Sequence, residues 1–321
     1  MRKSLSYCRL RQGLATGIAL LALGFFAYYA VRNFDKIPPL TWSPASAAIA
    51  LFSVVLVVFI IFIAGIIFHM LLRDHGLSIS WRQAQVIVAI SQFGKYLPGN
   101  VGQHVGRVVM AREIGIPVPI ILNTMLVEMF WGAGIATGLA LLSLILFIDG
   151  QVLGLQLQFG PVQLGFGFIL LLLMPWLGIA FLNKYLPGLA KRLSGGGSIA
   201  APQLRTALVA AVLFLLGFAL IGVILKLQAQ WFFGVTAGNV FELTCLFSIA
   251  WLVGYLVPGA PGGLGVREAM MVLLLSPVLG AGAAVGLGVT LRVTTTLGDA
   301  VAFVLGIFWR KCAAEIPVCK L

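Results

Sequence analysis

Two short stretches decide how this chain must fold: YLPGNVG at residues 96–102 and YLVPGAPGG at residues 255–263. Each interrupts a long apolar segment with a Pro-Gly pair, and proline and glycine are both unfavourable inside a regular helix. At an offset of 160 positions the two regions share four identical residues, namely Pro98 and Pro258, Gly99 and Gly259, Gly102 and Gly262, and Arg107 and Arg267. A single break would indicate an ordinary kink of a membrane helix. Two breaks in register predict a duplicated motif.

The rest of the sequence is typical of a membrane protein. Of its 321 residues, 61% are hydrophobic and only 9% are charged. A bilayer core is crossed by about 20 consecutive apolar residues. Runs of this length occur at 13–31, 45–72, 117–148, 162–182, 206–226 and 278–309. The sequence therefore predicts an all-α polytopic membrane protein with six full spans, forming a single integral membrane domain over residues 1–321.

The formal net charge of +12 indicates membrane orientation rather than a nucleic-acid partner. Basic residues collect in the cytoplasmic loops of membrane proteins because they set the orientation of the chain. Fourteen Lys and Arg residues fall in segments assigned to the cytoplasm and three in segments assigned to the outside. We therefore expect a multi-pass protein of the cell inner membrane, with both termini in the cytoplasm and residues 149–160 outside.

This topology gives the two broken segments opposite orientations. Residues 83–113 start and end in the cytoplasm, whereas residues 239–276 start and end outside. We therefore expect two inverted repeats, at about 45–148 and 204–310, each built as helix, Pro-Gly-broken re-entrant hairpin, helix. Paired interrupted segments in two halves of a membrane protein indicate a transporter-type binding site near the bilayer midplane.

The breaks and their flanks also resemble a known family. The segments LLRDHGLSIS (71–80), ISQFGKYLPGNVGQHVGR (90–107) and VPGAPGGLGVREA (257–269) are similar to the transmembrane domain of the lysylphosphatidylglycerol synthase/flippase family. The resemblance covers most of residues 45–310 and implies a membrane protein that binds or translocates lipid. Members fused to a soluble C-terminal domain also make aminoacylated lipid. This chain ends soon after its last predicted span, so we do not expect synthase activity.

The resemblance does not extend to the identity of the lipid, because the chain departs from the family pattern in the helix that follows the first hairpin. Glu128 matches the acidic residue of the family, but Met129 stands where the family has an arginine.

Ionisable residues within the predicted spans are candidates for function, because each costs about 2.5–3.5 kcal/mol on insertion scales. Glu128 and Arg292 lie near the middle of equivalent helices of the two repeats. Arg292, Thr296 and Asp299 are spaced to share one helix face. We expect an intramembrane polar site at the repeat interface, with Glu128 and Asp299 flanking Arg292. The alternative is a structural ion pair between Glu128 and Arg292 that joins the repeats.

Arg107 and Arg267 follow the two breaks and are candidates for binding an anionic lipid head group. A helix that restarts after a turn presents free N–H groups and its positive dipole end, and a guanidinium group suits a phosphate. Neighbouring glycines would permit close backbone approach: Gly102, Gly262 and Gly263. The alternative is that each arginine pairs with a nearby carboxylate, namely Glu113 for Arg107, and Glu268 or Glu242 for Arg267.

The leading hypothesis is therefore a lipid flippase or a transporter of lipid-linked intermediates that uses no cofactor. The sequence has no GxxxxGK[ST] motif for ATP hydrolysis, and its three histidines lack metal-ligand spacing. One alternative is a membrane-embedded transferase acting on a lipid-linked sugar or phosphate, which the lack of a paired acidic motif disfavours. Another is a non-catalytic scaffold for a lipid-modifying enzyme. Expected partners are anionic or lipid-linked membrane lipids, and a lipid-modifying enzyme.

Overall fold

The structure is a computed structural model that describes residues 43–96, 102–147, 175–257 and 261–313, together with Tyr28, Val31 and Leu173. The regular structure of these residues consists of α-helices and short 3-10 turns, and no strand occurs among them. The predicted break residues Pro98, Gly99, Pro258 and Gly259 lie outside the described residues. Most of the predicted spans at 13–31 and 162–182 also lies outside them.

The first series of helices consists of a long helix, two short helices and a second long helix. They are α1 (Pro44–Asp74), α2 (Trp81–Gln92) with a 3-10 turn at Phe93–Tyr96, α3 (Gly102–Glu113) and α4 (Val118–Leu146). Both α1 and α2 begin with a capping box, in which a serine and the residue three positions later bond each other's backbone N–H. The serines are Ser43 and Ser80. These caps fix where the first long helix and the first short helix start.

A second series repeats this order after two shorter helices, α5 (175–185) and α6 (Pro187–Leu193). It comprises α7 (Leu204–Phe233), α8 (Val240–Leu256), a 3-10 turn at Pro261–Gly263, α9 (Val266–Leu279) and α10 (Ala281–Ala313). The first long helices of the two series begin at Pro44 and Leu204, the same offset that relates the sequence motifs.

Four helices are long and apolar enough to cross a membrane: α1, α4, α7 and the Ala281–Arg310 part of α10. They coincide with four of the six predicted full spans. Large apolar side chains such as Leu51, Val212 and Phe308 are exposed along them. Such exposure fits lipid-facing helices, whose backbone polar groups are satisfied within the helix.

The two series pack through equivalent helix pairs. In the first series α2 packs against α1 and α10, and in the second α8 packs against α7 and α4. The first long helices, α1 and α7, also pack against each other. The 3-10 turns at Phe93–Tyr96 and Pro261–Gly263 are in contact, so the ends of the two short-helix pairs meet.

Two equivalent glycines let the arms of each short-helix pair approach closely. A Cβ added at Gly94 would lie 2.6 Å from the backbone carbonyl carbon of Gly102, and one at Gly254 would lie 3.1 Å from Cβ of Arg267. In the second pair, Gly262 also has a φ of 56°, a conformation that residues with a Cβ rarely adopt. Glycine at these positions therefore brings the arms together.

A hydrogen-bonded joint connects the end of α1 to the start of α7. Asp74 accepts hydrogen bonds from the backbone N–H of Gln203 and the hydroxyl of Thr206, both at 2.9 Å. The side-chain amide of Asn123 lies 2.9 Å from Nε2 of His75. Burial lowers the pKa of His75, and the neighbouring Asp74 carboxylate opposes this shift. The joint fixes one end of the interface between the two series.

Candidate functional site

A cavity of about 330 Å³ lies where the two series meet. Residues of all four helices of each series line it, together with both 3-10 turns. Most of the wall is apolar and aromatic, including Ile61, Phe218 and Trp251. It also carries four cations and two carboxylates, which are Lys95, Arg107, Arg267, Arg292, Glu128 and Asp299.

Most of the residues predicted from the sequence come together in this cavity. The two arginines of the short helices line it with the three charged residues of the long helices and with two of the glycines: Arg107, Arg267, Glu128, Arg292, Asp299, Gly262 and Gly263. Gly102 instead packs against Gly94 in the contact between the arms. Thr296 reaches the site through Tyr96, whose hydroxyl lies 3.2 Å from Thr296 Oγ1.

Arg107 on α3 pairs with Glu128 on α4. Its Nη1 donates to Glu128 Oε2 at 2.5 Å. The whole Arg107 residue is only 6% exposed, and its guanidinium carbon lies 5.3 Å from the centroid of the Phe68 ring. The cation therefore lies over an aromatic face, and the quadrupole of the ring attracts it. Arg107 is thus held by one carboxylate and one ring.

This pairing corrects two expectations. Glu128 was expected beside Arg292, with an ion pair between the two as the alternative, but Glu128 bonds Arg107, because α3 packs against α4 and presents Arg107 there. The alternative partner of Arg107 was Glu113, but Glu113 pairs at 2.8 Å with Arg310 on the exposed surface. Positions six residues apart lie on different sides of a helix, so the carboxylate of Glu113 faces away from Arg107.

Asp299 on α10 binds the 3-10 turn that follows α2. Its carboxylate lies 2.7 Å from Lys95 Nζ and accepts a hydrogen bond from the Tyr96 hydroxyl. Asp299 is 1% exposed. The Arg292 guanidinium lies 5.7 Å from the centroid of the Tyr96 ring. Asp299 was expected to flank Arg292, and Tyr96 from the other series contacts both residues.

Arg292 binds the 3-10 turn that precedes α9. Its Nη1 donates to the carbonyl oxygen of Gly262 at 3.1 Å and lies 3.6 Å from Glu268 Oε1. Glu268 also lies 3.8 Å from Arg267 Nη2, which confirms the alternative pairing of these neighbours. Its other oxygen accepts the N–H of Gly265 at 2.7 Å and so caps α9. The N-terminus of α9, predicted to offer free N–H groups, is therefore partly occupied by a carboxylate.

Several buried polar atoms in the wall have no hydrogen-bond partner among the described residues. They are Nε of Arg107, Nε of Arg267, Nδ1 of His104 and the hydroxyl of Tyr255. All four residues line the cavity. Leaving a buried polar group without a partner costs about 1–3 kcal/mol. An acceptor bound in the cavity could satisfy the two guanidinium N–H groups.

A comparison with family models matches residues 13–302 to the lysylphosphatidylglycerol synthase TM region. The chain belongs to this family. Membership confirms the resemblance read from the hairpin motifs and, with the four apolar helices, makes the chain a membrane protein with a lipid-related function. A search of curated proteins found no match.

In this member of the lysylphosphatidylglycerol synthase TM family, four residues with ionisable side chains in the cavity wall were not predicted from the sequence: Lys95, Tyr96, His104 and Tyr255. The repeat register could have found two of them, because Lys95 and Tyr255 occupy equivalent positions at the offset of 160. Tyr96 gives no such signal, because its equivalent position is Leu256. Its role depends on a contact with Asp299, some 200 residues away, which only the fold reveals.

Proposed function

We propose that the protein is a flippase-like lipid transporter of the cell inner membrane, and that it binds an anionic lipid or lipid-linked head group in the central cavity. The observation that carries this proposal is the wall itself, where four cations and two carboxylates lie within an apolar lining drawn from both series. A planar guanidinium group can bind a phosphate through two parallel N–H groups. The apolar remainder of the wall suits the rest of a lipid.

We further propose that the two series are inverted repeats, at about 45–148 and 204–310, whose re-entrant hairpins enter from opposite faces. Three observations support this: the repeated order of helices, the equivalent packing pairs and the contact between the two hairpin turns. The bias of basic residues supports cytoplasmic termini. In transporters built this way, one repeat moves against the other around a fixed central site. Such motion would expose the head group to each face in turn.

The proposed activity moves a lipid without changing it chemically, so the protein would not be an enzyme. Its partners would be anionic or lipid-linked membrane lipids, with a lipid-modifying enzyme as a candidate protein partner. The transferase alternative predicts a different result in a reconstituted system. Labelled lipid would be converted to a new species by the purified chain but would stay in its original leaflet.

The test is translocation of labelled phosphatidylglycerol in proteoliposomes by Arg107→Ala and Arg267→Ala, with melting temperature measured on the same preparations. We expect both variants to lose most transport, and the corresponding Lys variants to keep part of it, because lysine retains the charge without the planar fork. Arg310→Ala is the matched control, because Arg310 is paired but its side chain is 55% exposed. Folded alanine variants with normal transport would contradict the proposal. If the melting temperature and the transport of the alanine variants fall together, and lysine does not restore them, both arginines are structural.

The orientation is tested separately with single cysteines in a background lacking the four native ones. Ser198 precedes α7 and Ala237 follows it, and both are exposed. In intact cells, an impermeant maleimide should label Ala237→Cys, and it should label Ser198→Cys only after permeabilisation. The reverse pattern would contradict the proposed orientation, and labelling of both positions would contradict α7 as a span.

A further inference from the structure

Each cation of the cavity lies near a carboxylate that belongs to the protein. Glu128 bonds Arg107 at 2.5 Å, and Asp299 lies 2.7 Å from Lys95. Glu268 lies 3.8 Å from Arg267 and 3.6 Å from Arg292. An anionic head group can therefore use these cations only in competition with internal carboxylates.

The three carboxylates are held in different ways. Glu268 caps α9 by accepting the Gly265 N–H at 2.7 Å, and its arginine contacts are longer than hydrogen bonds. Glu128 and Asp299 lie within hydrogen-bond distance of one cation each, and both line the cavity. Glu268 is thus part of a helix cap, whereas Glu128 and Asp299 are placed to exchange with a ligand.

Arg107 shows where the incoming acceptor would bind. Glu128 takes its Nη1, while its buried Nε has no partner among the residues that the structure describes. A phosphate oxygen accepting from this Nε would lie a few ångströms from the Glu128 carboxylate. Two negative charges at such a distance in a poorly solvated cavity repel each other strongly. Binding at Nε would therefore weaken the bond between Arg107 and Glu128.

We propose that Glu128 and Asp299 are internal counter-ions that compete with an anionic lipid head group for Arg107 and Lys95, and that the lipid displaces them when it binds. The inference rests on the proposed function and deepens it, because it makes these carboxylates determinants of affinity. In the empty cavity they neutralise cations that would otherwise be buried and unpaired. After translocation they compete with the lipid again and so favour its release.

The exchange makes a prediction opposite to that of a structural ion pair. Glu128→Gln and Asp299→Asn keep the shape of the side chain and remove its charge, so each frees one cation. We expect each variant to bind short-chain phosphatidylglycerol at least about tenfold more tightly than the wild type, which corresponds to about 1.4 kcal/mol. We also expect slower release. The matched control is Glu113→Gln, because Glu113 has a similar arginine partner, Arg310, but lies on the exposed surface. Its affinity should equal that of the wild type.

The experiment measures binding of short-chain phosphatidylglycerol and phosphatidylcholine to the four purified full-length proteins in nonionic detergent, together with their melting temperatures. Both lipids carry a phosphodiester, but phosphatidylcholine is neutral overall. The expected result is tighter binding of phosphatidylglycerol alone, by Glu128→Gln and Asp299→Asn alone. Unchanged or weaker binding of phosphatidylglycerol by both folded variants would overturn the inference.

A variant that is lost during purification still gives a decisive result. It is then prepared in micelles that contain either phosphatidylglycerol or phosphatidylcholine. Recovery in phosphatidylglycerol alone is the expected outcome, because the lipid replaces the missing anion. Equal loss in both lipids would overturn the inference, because the carboxylate would then be structural.

The same data separate this inference from the proposed function. A wild-type protein that neither prefers phosphatidylglycerol nor moves it in proteoliposomes would contradict the proposed function itself. A wild-type protein that binds and moves this lipid, with carboxylate variants of unaltered affinity, would contradict only the exchange.

Discussion

The ion pair between Lys95 and Asp299 tests how the two series are held together. Lys95 is in the 3-10 turn after α2 of the first series, and Asp299 is in α10 of the second series. The charged atoms are 2.7 Å apart, and the side chains are 20% and 1% exposed. Replacing Lys95 by methionine keeps an unbranched stem but leaves the buried carboxylate without its cation. Removing one partner of a buried pair costs about 3–5 kcal/mol. Because Tyr96 still donates a hydrogen bond to Asp299, we expect the low end of this range.

The assay is a double-mutant cycle on unfolding in detergent, comprising Lys95→Met, Asp299→Asn and the double variant. The double variant leaves no unpaired charge, so it should be more stable than Lys95→Met. We expect an interaction energy of about 1–3 kcal/mol, within the range for residues in direct contact. The control cycle uses Glu113→Gln and Arg310→Met, whose side chains are 51% and 55% exposed. Exposed pairs typically contribute about 0–1 kcal/mol.

Additive losses in the Lys95–Asp299 cycle, with a coupling no larger than that of the surface pair, would refute the reasoning. The stability of the central contact would then have to come from other interactions. The hydrogen bonds from the Tyr96 hydroxyl to Asp299 and Thr296 also join the two series at this turn.

Three further predictions concern the frame around the cavity. A Cβ at Gly222 would lie 2.8 Å from a backbone oxygen of α8, whereas one at Gly217 would meet no atom of the described residues within 4 Å. Gly222→Ala should therefore melt several degrees lower than Gly217→Ala, and equal melting would contradict the close approach of α7 to α8. Lys226 donates to three loop carbonyls at 2.6–3.3 Å, so Lys226→Met should lose about 1–3 kcal/mol of unfolding free energy. Lys184 is exposed, so Lys184→Met should lose less than about 0.5 kcal/mol of unfolding free energy. Equal losses in the two variants would show that the contacts of Lys226 with the carbonyls do not stabilise the fold. Because burial lowers the pKa of His75 from 6.5, the folded state binds a proton less readily than the unfolded state. The contribution of His75 to stability should be present above pH 6.5 and should decrease as the pH falls below 6.5. In melting temperatures measured as a function of pH, His75→Gln should make this decrease smaller.

The long helices could be predicted from the sequence because a membrane leaves few alternatives. A chain crossing the hydrocarbon core must satisfy its backbone internally, so about 20 consecutive apolar residues indicate a helix. The observed α1, α4, α7 and α10 accordingly coincide with predicted spans to within a few residues, apart from the longer C-terminal part of α7. The cavity residues could be predicted for a related reason. Charges within spans are costly, so Glu128, Arg292 and Asp299 were candidates without knowledge of any contact.

The partners of these charges could not be predicted, because depth along a helix does not determine which neighbour a side chain faces. Glu128 and Arg292 lie near the middle of equivalent helices, and depth alone favoured pairing them. In the fold, α3 packs against α4 and brings Arg107 to Glu128. The α10 helix packs instead against α1, α2 and α9, and its Arg292 binds the 3-10 turn at Pro261–Gly263. The choice of partner depends on helix rotation and on packing between segments far apart in the chain.

The pairing has a consequence for how a membrane cavity can hold several cations. A soluble phosphate site can leave its arginines hydrated when it is empty, but a cavity among apolar helices offers less water, and an unpaired charge there costs several kcal/mol. Internal carboxylates remove that cost and, by the same interaction, lower the affinity for an anionic ligand. Around Arg107, Glu128 neutralises the guanidinium group through Nη1, while Nε has no partner among the residues that the structure describes. In the proposed exchange, the ligand would replace this carboxylate on the guanidinium group. Glu268 is fixed as the cap of α9, so the first hairpin, with Arg107 and Lys95, would supply most of the exchangeable charge.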